Sequence, residues 1–426
     1  MLIDLAYDLA GQLASGLVSL APDSNVKAIR AFRERRGVLD RFAAWAREQR
    51  DPSRPLLWFH APSYGEGLQA RPVIERLRAK RPDIQLAYTF FSPSAEGFAR
   101  GLPVDVADYL PFDTRYNARR LVEAVRPSAL IFSKLDVWPR LSEVCHAAHV
   151  PLGIVSATMS AAAGRRQPLA RALLRRAYGS LSAVGAIASE DAERLVQSGV
   201  RREVVEVTGD TRYDQVWTRA TAPSPNRALV DSLRHDRPTL VAGSTWPADE
   251  DTLLPAWLEV REHDPHVRLL IAPHEPTPSH LQSIEGWAAD NGLTLCRVEA
   301  AHAGRADVIL VDRLGILGDL YSLGRAAFVG GGFGTAGLHS VLEPAAFGVP
   351  VLFGPHHANS RDAELLIEAD AASTVRNASD AAHVIGRWMG SEALARAAGD
   401  AARAVVERGL GAADRAYDLV MRLMGR

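Results

Sequence analysis

The stretch FVGGGFGTAGLHSVLEPAAFGVPVLFGPHHAN, from Phe328 to Asn359, decides the fold of this chain. It starts at the end of an apolar run, passes through a glycine turn into a helical segment, and ends in a second apolar run. This is the order of a strand, a turn, a helix and a strand. Gly330 to Gly334 allow the backbone to turn tightly and to approach a ligand closely. A helix predicted to begin near His339 would point its free N–H groups at that turn, where they bind anions such as phosphate.

Glu343 falls one turn into this predicted helix, where a carboxylate can accept hydrogen bonds from the hydroxyls of a ribose. Gly332, Gly334 and Gly337 also form a GxGxxG pattern, which is typical of dinucleotide-binding folds. That fingerprint requires an acidic residue about 20 positions later, and the segment GPHHAN after Val349–Phe353 has none where it is needed. The stretch therefore predicts a nucleotide-sugar site with its phosphate near the glycines. A glycine turn without a ligand is the remaining alternative.

The composition is that of an ordinary globular protein. The chain has 426 residues, of which 47% are hydrophobic and 23% are charged, and its formal net charge is −1. The length suits two domains of about 200 residues each, and the balanced charge gives no general attraction to nucleic acid. The two cysteines, Cys145 and Cys296, fall in different predicted domains, so neither a disulfide nor a metal cluster is expected. No cleavable signal peptide is expected, because no basic segment precedes the first apolar residues.

The N-terminal segment has the pattern of an amphipathic helix. Asp4 and Asp8 lie on its polar face, and its uncharged run is shorter than the roughly 20 apolar residues that span a bilayer. The opposite face is a stripe of leucines: Leu2, Leu5, Leu9, Leu13, Leu17 and Leu20. A basic cluster follows, made of Lys27, Arg30, Arg33, Arg35 and Arg36. The combination is typical of a helix that lies on an anionic membrane surface. Packing of the leucines on the protein itself is the alternative.

Apolar runs alternate with helical spacing along the rest of the chain, from Leu56 to Tyr178 and again after the polar link Ala222–Asn226. Such alternation implies parallel sheets covered by helices on both faces. The predicted fold is α/β, with two doubly wound Rossmann-like domains that face each other across a cleft. The predicted parts are the amphipathic helix at 1–22, an acceptor-binding domain at 23–218, a donor-binding domain at 227–400, and a C-terminal helix at 401–426 that braces the first domain.

The loops after the strands hold the candidate site, because open α/β sheets bind ligands at the carboxyl ends of their strands. The first predicted strand ends in WFHAPSYGEG, which supplies His60, Ser63, Gly65 and Glu66. Glu66 opens a helix beside a glycine, and we interpret it as a general base. A plain helix cap is the alternative. Asp136, at a later strand end, is interpreted as a cap that organises its loop.

Further polar residues at strand ends are weaker candidates. Ser92 and Ser94 can hydrogen-bond a polar ligand, although Ser-Pro-Ser is also ordinary turn chemistry. Ser244 and Thr245 can bind a phosphate or a carboxylate, and capping of the next helix is equally compatible with them. His274 follows the next strand. The sequence contains neither HExxH nor paired Cys-His spacing, so no metal is expected.

The order of these motifs resembles that of the 3-deoxy-D-manno-oct-2-ulosonic acid (Kdo) transferases of lipopolysaccharide assembly, which have the GT-B fold. The likeness runs from about Leu56 to Ala371. It rests on HAPSYGE at His60–Glu66, on LDVWP at Leu135–Pro139, on the Ser-Thr pair that opens the second half, and on Val329–Asn359. The last of these segments is highly specific for the family.

The resemblance implies an inverting glycosyltransferase that moves Kdo from CMP-Kdo to a lipid A precursor, lipid IVA, without a cofactor. It also implies a peripheral or monotopic place on the cytoplasmic side of the inner membrane. The general base would be Glu66. The implied donor-binding residues are Ser244, Thr245, His274, Gly331, Gly332, Gly334, His339, Glu343, His356 and Asn359. The implied acceptor-binding residues are His60, Ser63, Gly65, Ser92, Ser94, Asp136, Arg33 and Arg36.

Three positions depart from the family's pattern. Lys134 stands at the first acidic place of an ExE segment before the WP pair, PHEPTP at Pro273–Pro278 replaces PRHPER, and ATMS at Ala157–Ser160 replaces ARLS. Two other hypotheses stay open. A nucleotide-sugar 2-epimerase shares the GT-B architecture but does not need the leucine stripe. A non-catalytic sugar-nucleotide-binding protein would fit the loss of two arginines.

Overall fold

The computed structural model describes residues 2–18, 22, 26–159, 167–335, 337–358 and 360–425. The chain forms two compact units. Unit 1 comprises Met1–Gln215 together with Gly411–Arg426, and unit 2 comprises Val216–Leu410. Each unit is an α/β fold with its own sheet.

Unit 1 is built on a seven-stranded sheet in which the described strands all pair in parallel. The strands are β1 (Leu56–His60), β2 (Gln85–Phe90), β3 (Val106–Tyr109), β4 (Ala129–Ser133), β5 (Leu152–Ala157), β6 (Leu181–Ala186) and β7 (Val205–Val207). Their order is β3-β2-β1-β4-β5-β6-β7. The order reverses between β1 and β4, and the carboxyl ends of strands at such a switch point form the usual ligand crevice of doubly wound sheets.

Helices cover both faces of this sheet. They are α1 (Leu2–Leu17), α2 (Lys27–Arg33), α3 (Val38–Glu48), α4 (Tyr64–Lys80), α5 (Glu96–Arg100), α6 (Arg115–Val125), α7 (Pro139–Ala147), α8 (Pro168–Gly179), α9 (Ser189–Gln197) and α10 (Thr211–Thr221), within which the chain passes into unit 2. Every residue of β1, β2, β4 and β5 is buried. Burial on both faces explains why these strands are continuous apolar runs and not alternating ones.

Unit 2 repeats the arrangement. Its strands are β8 (Thr239–Thr245), β9 (Arg268–Pro273), β10 (Leu295–Arg297), β11 (Val308–Leu310), β12 (Ala326–Val329), β13 (Val351–Phe353) and β14 (Ala372–Thr374). They pair in parallel in the order β10-β11-β9-β8-β12-β13-β14, with β10 at one edge of the sheet. The order reverses between β8 and β12, which is the switch point of this sheet. Its helices are α11 (Arg227–Leu233), α12 (Pro247–His263), α13 (Pro278–Asp290), α14 (Leu317–Leu320), α15 (Leu342–Ala346), α16 (Arg361–Glu368), α17 (Ala378–Gly390) and α18 (Glu392–Arg408).

Short 3-10 turns complete the described secondary structure, at Pro93–Ala95, Arg202–Val204, Ala303–Arg305 and Tyr321–Leu323. The predicted α/β class with two doubly wound, Rossmann-like sheets is confirmed.

The C-terminal region differs from the single helix predicted at 401–426. It contains the end of α18 and a separate helix, α19 (Ala412–Met424), which belongs to unit 1. The first of these helices ends at Arg408, and Gly411, whose φ of 83° is left-handed, is the N-cap residue from which α19 starts. Asp214 then accepts hydrogen bonds of 2.9 Å from the N–H groups of Gly411 and Ala413. This carboxylate satisfies the open N-terminus of α19.

The polar face of α1 packs on unit 1. The hydroxyl of Tyr7 donates to Asp113 at 2.7 Å, and Asp8 forms ion pairs with Arg115 and with the fully buried Arg140. The leucines that face the other way are exposed by about half or more: Leu5 66%, Leu9 55%, Leu13 60% and Leu17 53%. The alternative in which these leucines pack on the protein itself is therefore wrong for these four residues.

In the described parts of the chain, no helix combines the length and the apolar character needed to cross a bilayer.

Candidate active site

Glu66 lies in the first turn of α4, just beyond the carboxyl end of β1. Ser63, the N-cap residue, makes no side-chain hydrogen bond to the helix backbone; its hydroxyl donates to the carboxylate of Glu66 instead. The Nζ atom of Lys134, in the loop after β4, lies 3.1 Å from Oε1 of the same carboxylate. Because β1 and β4 are paired neighbours, the fold places Lys134 and Glu66 together at the switch point of unit 1.

Opposing effects set the ionisation of Glu66. Burial raises the pKa of its carboxyl group, whereas the hydrogen bond from Ser63 and then the charge of Lys134 lower it, so that the pKa lies below the usual value of a glutamate. The side chain is 16% exposed. At neutral pH Glu66 is therefore a carboxylate with some access to solvent, which is the state that a general base requires.

His60, predicted to bind the acceptor, lies in the core of unit 1. Its ring is fully buried. Its Nδ1 atom lies 2.9 Å from the hydroxyl of Thr89, and its Nε2 atom accepts a hydrogen bond of 2.8 Å from the indole of Trp138. Burial lowers the pKa of the ring to about 3, so the imidazole is neutral. Direct contact with an acceptor does not agree with this burial. The ring instead holds Trp138 in place.

The two glycines that flank Glu66 differ in what surrounds them. Gly65, a predicted site residue, is exposed, and a Cβ atom there would come no closer than 4.0 Å to the Ser63 hydroxyl. At Gly67 a Cβ atom would lie 2.5 Å from the ring of Phe98. Close packing of α4 therefore requires Gly67, which sequence reasoning missed. The GEG spacing at the start of a helix was the signal for it, because glycines there permit close packing of helix and strand.

The other candidates of unit 1 lie after β2 and β4. Ser94 is exposed, and its hydroxyl donates to that of Ser92 at 2.9 Å. Asp136 is half-buried two residues after Lys134. The acceptor-binding role of these residues stays a prediction.

One member of the basic cluster is a core residue. Arg35 is 3% exposed, its guanidinium lies 3.9 Å from the centre of the Phe91 ring, and its Nε atom donates to the carbonyl of Leu110 at 2.9 Å. Burial lowers its pKa to about 10. Arg35 therefore belongs to the framework of unit 1 and not to a membrane-facing cluster.

The two arginines predicted to bind the acceptor are nearer to the surface. Arg33 pairs with Glu34 at 2.7 Å and is half-buried. Arg36 is exposed and donates from Nε to the carbonyl of Val18 at 3.0 Å. Arg36 thus links the end of α1 to the loop before α3, and its acceptor-binding role stays a prediction.

At the switch point of unit 2, β8 ends in a strained bend. Ser244 is half-buried and has a φ of 54°, a left-handed conformation that is costly for a residue other than glycine. The fully buried hydroxyl of Thr245 donates to Glu250 at 2.7 Å, and Nε2 of His280 lies 3.0 Å from the same carboxylate. This internal contact does not agree with the donor-binding role predicted for Thr245, whereas Ser244 keeps its place at the strand end.

The glycine segment packs tightly against neighbouring loops. A Cβ atom at Gly330 would lie 2.2 Å from the carbonyl oxygen of Ser244, and one at Gly332 would lie 2.6 Å from the nitrogen of Gly354. Gly331 has a φ of 92°. Backbone packing at the switch point is therefore enough to explain why glycines stand at these positions, without a bound ligand.

A buried carboxylate occupies part of the predicted phosphate site. Asp249, fully buried near the start of α12, accepts hydrogen bonds from the N–H groups of Gly331 at 2.8 Å, Phe333 at 3.2 Å and Trp246 at 2.9 Å. A phosphate near Gly331–Gly334 would need other donors. Sequence reasoning missed Asp249, whose signal was the acidic start of the helix after the Ser-Thr pair.

Three rings stack beside the glycine segment. The ring centres of Trp246 and His274 are 4.7 Å apart, and those of His274 and His339 are 4.3 Å apart. The indole of Trp246 donates to Nε2 of His339 at 3.1 Å. Burial, and then the neighbouring His274, lower the pKa of His339 to about 4, so that its ring is neutral. The structure thus brings two predicted donor-binding residues together, with Trp246 as a member that sequence reasoning missed.

The helix after the glycines is shorter than predicted and begins later. The N–H of His339 donates to the carbonyl of Gly330 at 3.1 Å, so the chain is not helical there, and α15 begins at Leu342. A helix start near His339 is therefore wrong. Glu343 is half-buried in this helix; burial raises the pKa of its carboxyl group, and the charge of Arg219 partly offsets the rise.

His356 lies at the edge of the glycine segment. Its N–H donates to the carbonyl of Gly332 at 2.9 Å, its Nδ1 atom lies 3.0 Å from the carbonyl oxygen of Gly334, and its side chain is exposed. Asn359 lies outside the described residues. Across the part of the chain that is described, no set of three His, Cys, Asp or Glu side chains could hold a metal ion.

Sequence comparisons relate most of the chain to one enzyme family. The profile of the family described as "3-Deoxy-D-manno-octulosonic-acid transferase (kdotransferase)" matches residues 30–215. The 3-deoxy-D-manno-octulosonic acid transferase of Haemophilus influenzae is 25% identical over 412 residues, which cover 94% of each chain. The enzyme of that name from Chlamydophila psittaci is 30% identical over 325 residues, which cover 74% of this chain and 73% of the relative.

A solved structure supports the fold. The UDP-GlcNAc 2-epimerase from Neisseria meningitidis, bound to UDP-GlcNAc, has a TM-score of 0.63 to this chain at 13% identity, with 87% of this chain and 100% of the epimerase covered. At this identity the likeness shows the fold alone.

Proposed function

The chain belongs to the 3-deoxy-D-manno-octulosonic acid (Kdo) transferase family, and from this premise we propose that it moves Kdo from CMP-Kdo to a lipid A precursor, lipid IVA, with inversion at the sugar carbon. The observation that carries the proposal is Glu66. Its carboxylate stands at the switch point of unit 1, partly exposed, and held by Ser63 and Lys134.

Glu66 would act as the general base. Its carboxylate would take the proton of an acceptor hydroxyl while that oxygen attacks the anomeric carbon of Kdo from the face opposite to CMP. The bond between Kdo and the CMP phosphate would break, and its electron pair would leave with CMP. The base needs only to accept one proton, and a pKa below the usual value of a glutamate supports this role for Glu66.

Unit 2 would bind the donor. At its switch point, where doubly wound folds bind nucleotides, Ser244 packs against Gly330, and the rings of His274 and His339 stack on each other. Asp249 already takes two N–H groups of the glycine segment. We therefore assign the donor phosphate to the remaining polar groups around that segment, with Glu343 toward the ribose.

The acceptor is a membrane lipid, and α1 is the element suited to meet it. Leu5, Leu9, Leu13 and Leu17 form an exposed stripe on one face, while ion pairs to Arg140 and Arg115 fix the other face to unit 1. An apolar stripe of this kind lies in the boundary between lipid headgroups and acyl chains. We place the protein peripherally on the cytoplasmic face of the inner membrane.

The test is an assay of the purified protein with CMP-Kdo and lipid IVA in mixed micelles, with released CMP quantified and the lipid followed by mass spectrometry. The expected result is a mass gain of one or more Kdo units. Glu66→Gln should lower the rate by about 100-fold or more. Glu75→Gln is the matched control, because Glu75 lies on the same helix and its carboxylate forms an ion pair with Arg71 at the surface. CMP release without lipid gain, or an unchanged rate in Glu66→Gln, would contradict the proposal.

A further inference from the structure

Lys134 is the cationic side chain that meets the candidate base. Its Nζ atom lies 3.1 Å from Oε1 of Glu66, while Oε2 of Glu66 accepts the hydroxyl of Ser63. Each carboxylate oxygen therefore has its own donor. We propose that Lys134 is a positioning residue for the transfer reaction, which keeps Glu66 ionised and fixes the direction of its carboxylate, and this proposal rests on the function proposed above.

The backbone of Lys134 is built for this contact. Its φ of 65° is left-handed, which is uncommon for a residue with a long side chain and is found most often where the surrounding structure enforces it. Its N–H donates to the carbonyl of Val155 at 2.9 Å. The preceding residue, Ser133, donates from its hydroxyl to the backbone carbonyl of Glu66 at 2.8 Å. Residues at the end of β4 therefore contact both the backbone carbonyl and the carboxylate of Glu66, in the first turn of α4.

Among the described residues, Lys134 is the cation whose charge acts on Glu66. The other titratable groups near α4 are either uncharged or paired with other residues. From β2, Tyr88 is close enough to Glu66 for the carboxylate charge to add to burial in raising the pKa of this buried tyrosine well above its usual value. From α5, Glu96 is held by Arg30 and Arg100. From α19, Asp414 lies with Arg76 and Lys80 farther along α4.

The arrangement predicts the direction in which the pKa of Glu66 changes when Lys134 is substituted. Burial alone would favour the protonated carboxyl group, and the Ser63 hydroxyl and Lys134 ammonium oppose it. If the ammonium is removed, the pKa of Glu66 rises, so protonation begins at higher pH. A general base works only when unprotonated, and the acid side of the rate profile must therefore move to higher pH as well.

Three variants separate charge from shape. Lys134→Met removes the charge and keeps most of the length, Lys134→Arg keeps the charge, and Lys134→Gly removes the charge but suits the left-handed backbone. Lys134 is 43% exposed, so these changes leave the core intact. The ionisation of Glu66 is read directly from the carboxyl ¹³C NMR signal that is missing in Glu66→Gln. The rate of CMP release with lipid IVA is then measured across the same pH range.

The expected result is a Glu66 titration displaced to higher pH in Lys134→Met and Lys134→Gly but not in Lys134→Arg. In the two uncharged variants the rate on the acid side should fall by roughly tenfold or more relative to the plateau. A rate lowered equally at every pH, with the titration of Glu66 unmoved, would mean that Lys134 only shapes the loop and would overturn the proposal. Because the titration needs no substrate, a protein that transfers no Kdo but shows the displacement would overturn the proposed reaction and leave the ion pair established.

Discussion

Glu66 and Asp249 are carboxylates at the equivalent switch points of the two sheets, but one is accessible to a ligand and the other is bound to the protein backbone. Glu66 is partly exposed and contacted by side chains, so a ligand can approach it. Asp249 is fully buried and accepts hydrogen bonds from three backbone N–H groups, so its carboxylate already has all of these partners inside the protein. At the residue scale, burial and partner type separate a candidate catalytic group from one that shapes the site.

Asp249→Asn tests the second role. The amide presents one acceptor fewer and sets its N–H₂ group against backbone N–H donors, so buried groups lose their partners at a cost of about 1–3 kcal/mol. We expect the free energy of unfolding of unit 2 to fall by about that amount in urea titrations, and hydrogen exchange at Gly331 and Phe333 to become faster. Asp251→Asn, on the exposed side of the same helix, should stay within about 0.5 kcal/mol of the parent. Equal effects of the two changes would remove Asp249 from this role.

Sequence reasoning located Glu66 because a local pattern, a buried strand followed by glycine and an acidic helix start, is enough to place it. It could not find the partnership with Lys134, which depends on β1 and β4 being neighbours although β2 and β3 lie between them in the chain. His60 was misjudged for a related reason. A polar residue at a strand end points either to the crevice or into the core, and the sequence alone does not say which.

At the scale of elements, the strand-helix alternation predicted the sheets well because buried parallel strands are long apolar runs. The strands that the alternation did not reveal are short or partly exposed. β7 (Val205–Val207) and β14 (Ala372–Thr374) have three residues each and lie at the edges of their sheets. Such short segments form strands because they pair with a neighbouring strand, so their own sequence shows little hydrophobic pattern.

The leucine stripe of α1 gives a prediction at this scale. A triple substitution of Leu5, Leu9 and Leu13 by Glu should weaken binding to vesicles that contain anionic phospholipid by tenfold or more, roughly, because charged side chains replace buried apolar area at the lipid boundary. Vesicle co-sedimentation measures the change. The fold should be kept, since these side chains are more than half exposed.

A control for this experiment uses exposed leucines elsewhere. Leu169, Leu314 and Leu394 are 72%, 73% and 45% exposed, and their triple substitution by Glu adds the same charge to the protein. This control should bind vesicles as the parent does. If both triple variants lose binding equally, net charge and not the stripe controls association with the membrane.

At the scale of the whole molecule, unit 1 is completed by the last helix of the chain. Leu419, Val420 and Leu423 of α19 are buried in the core of unit 1, and a Cβ atom at Gly153 of β5 would lie 2.8 Å from Leu423. Asp414 pairs with Arg76 and Lys80 of α4, and these partners lower its pKa to about 2. The helix is thus part of the unit 1 core although it follows all of unit 2 in sequence.

Leu423→Ala should therefore destabilise unit 1 and not unit 2. Loss of a fully buried leucine leaves a cavity and costs about 2–5 kcal/mol. Hydrogen exchange resolved by unit measures it, with faster exchange expected in β5 and β6 and unchanged exchange in β8 and β9. Leu394→Ala, at an exposed position of α18, is the matched control and should leave both units as they are. Equal loss of protection in both units would contradict this assignment.

The return of the chain into unit 1 at Gly411 has a consequence for biosynthesis. Domains tend to fold as units while the ribosome is still adding residues, and unit 2 is one unbroken segment, Val216–Leu410. Its whole core has been translated before α19 exists. Unit 1 begins first but must wait with part of its apolar surface uncovered until the final helix leaves the exit tunnel. The half that is made first is therefore the half that finishes folding last.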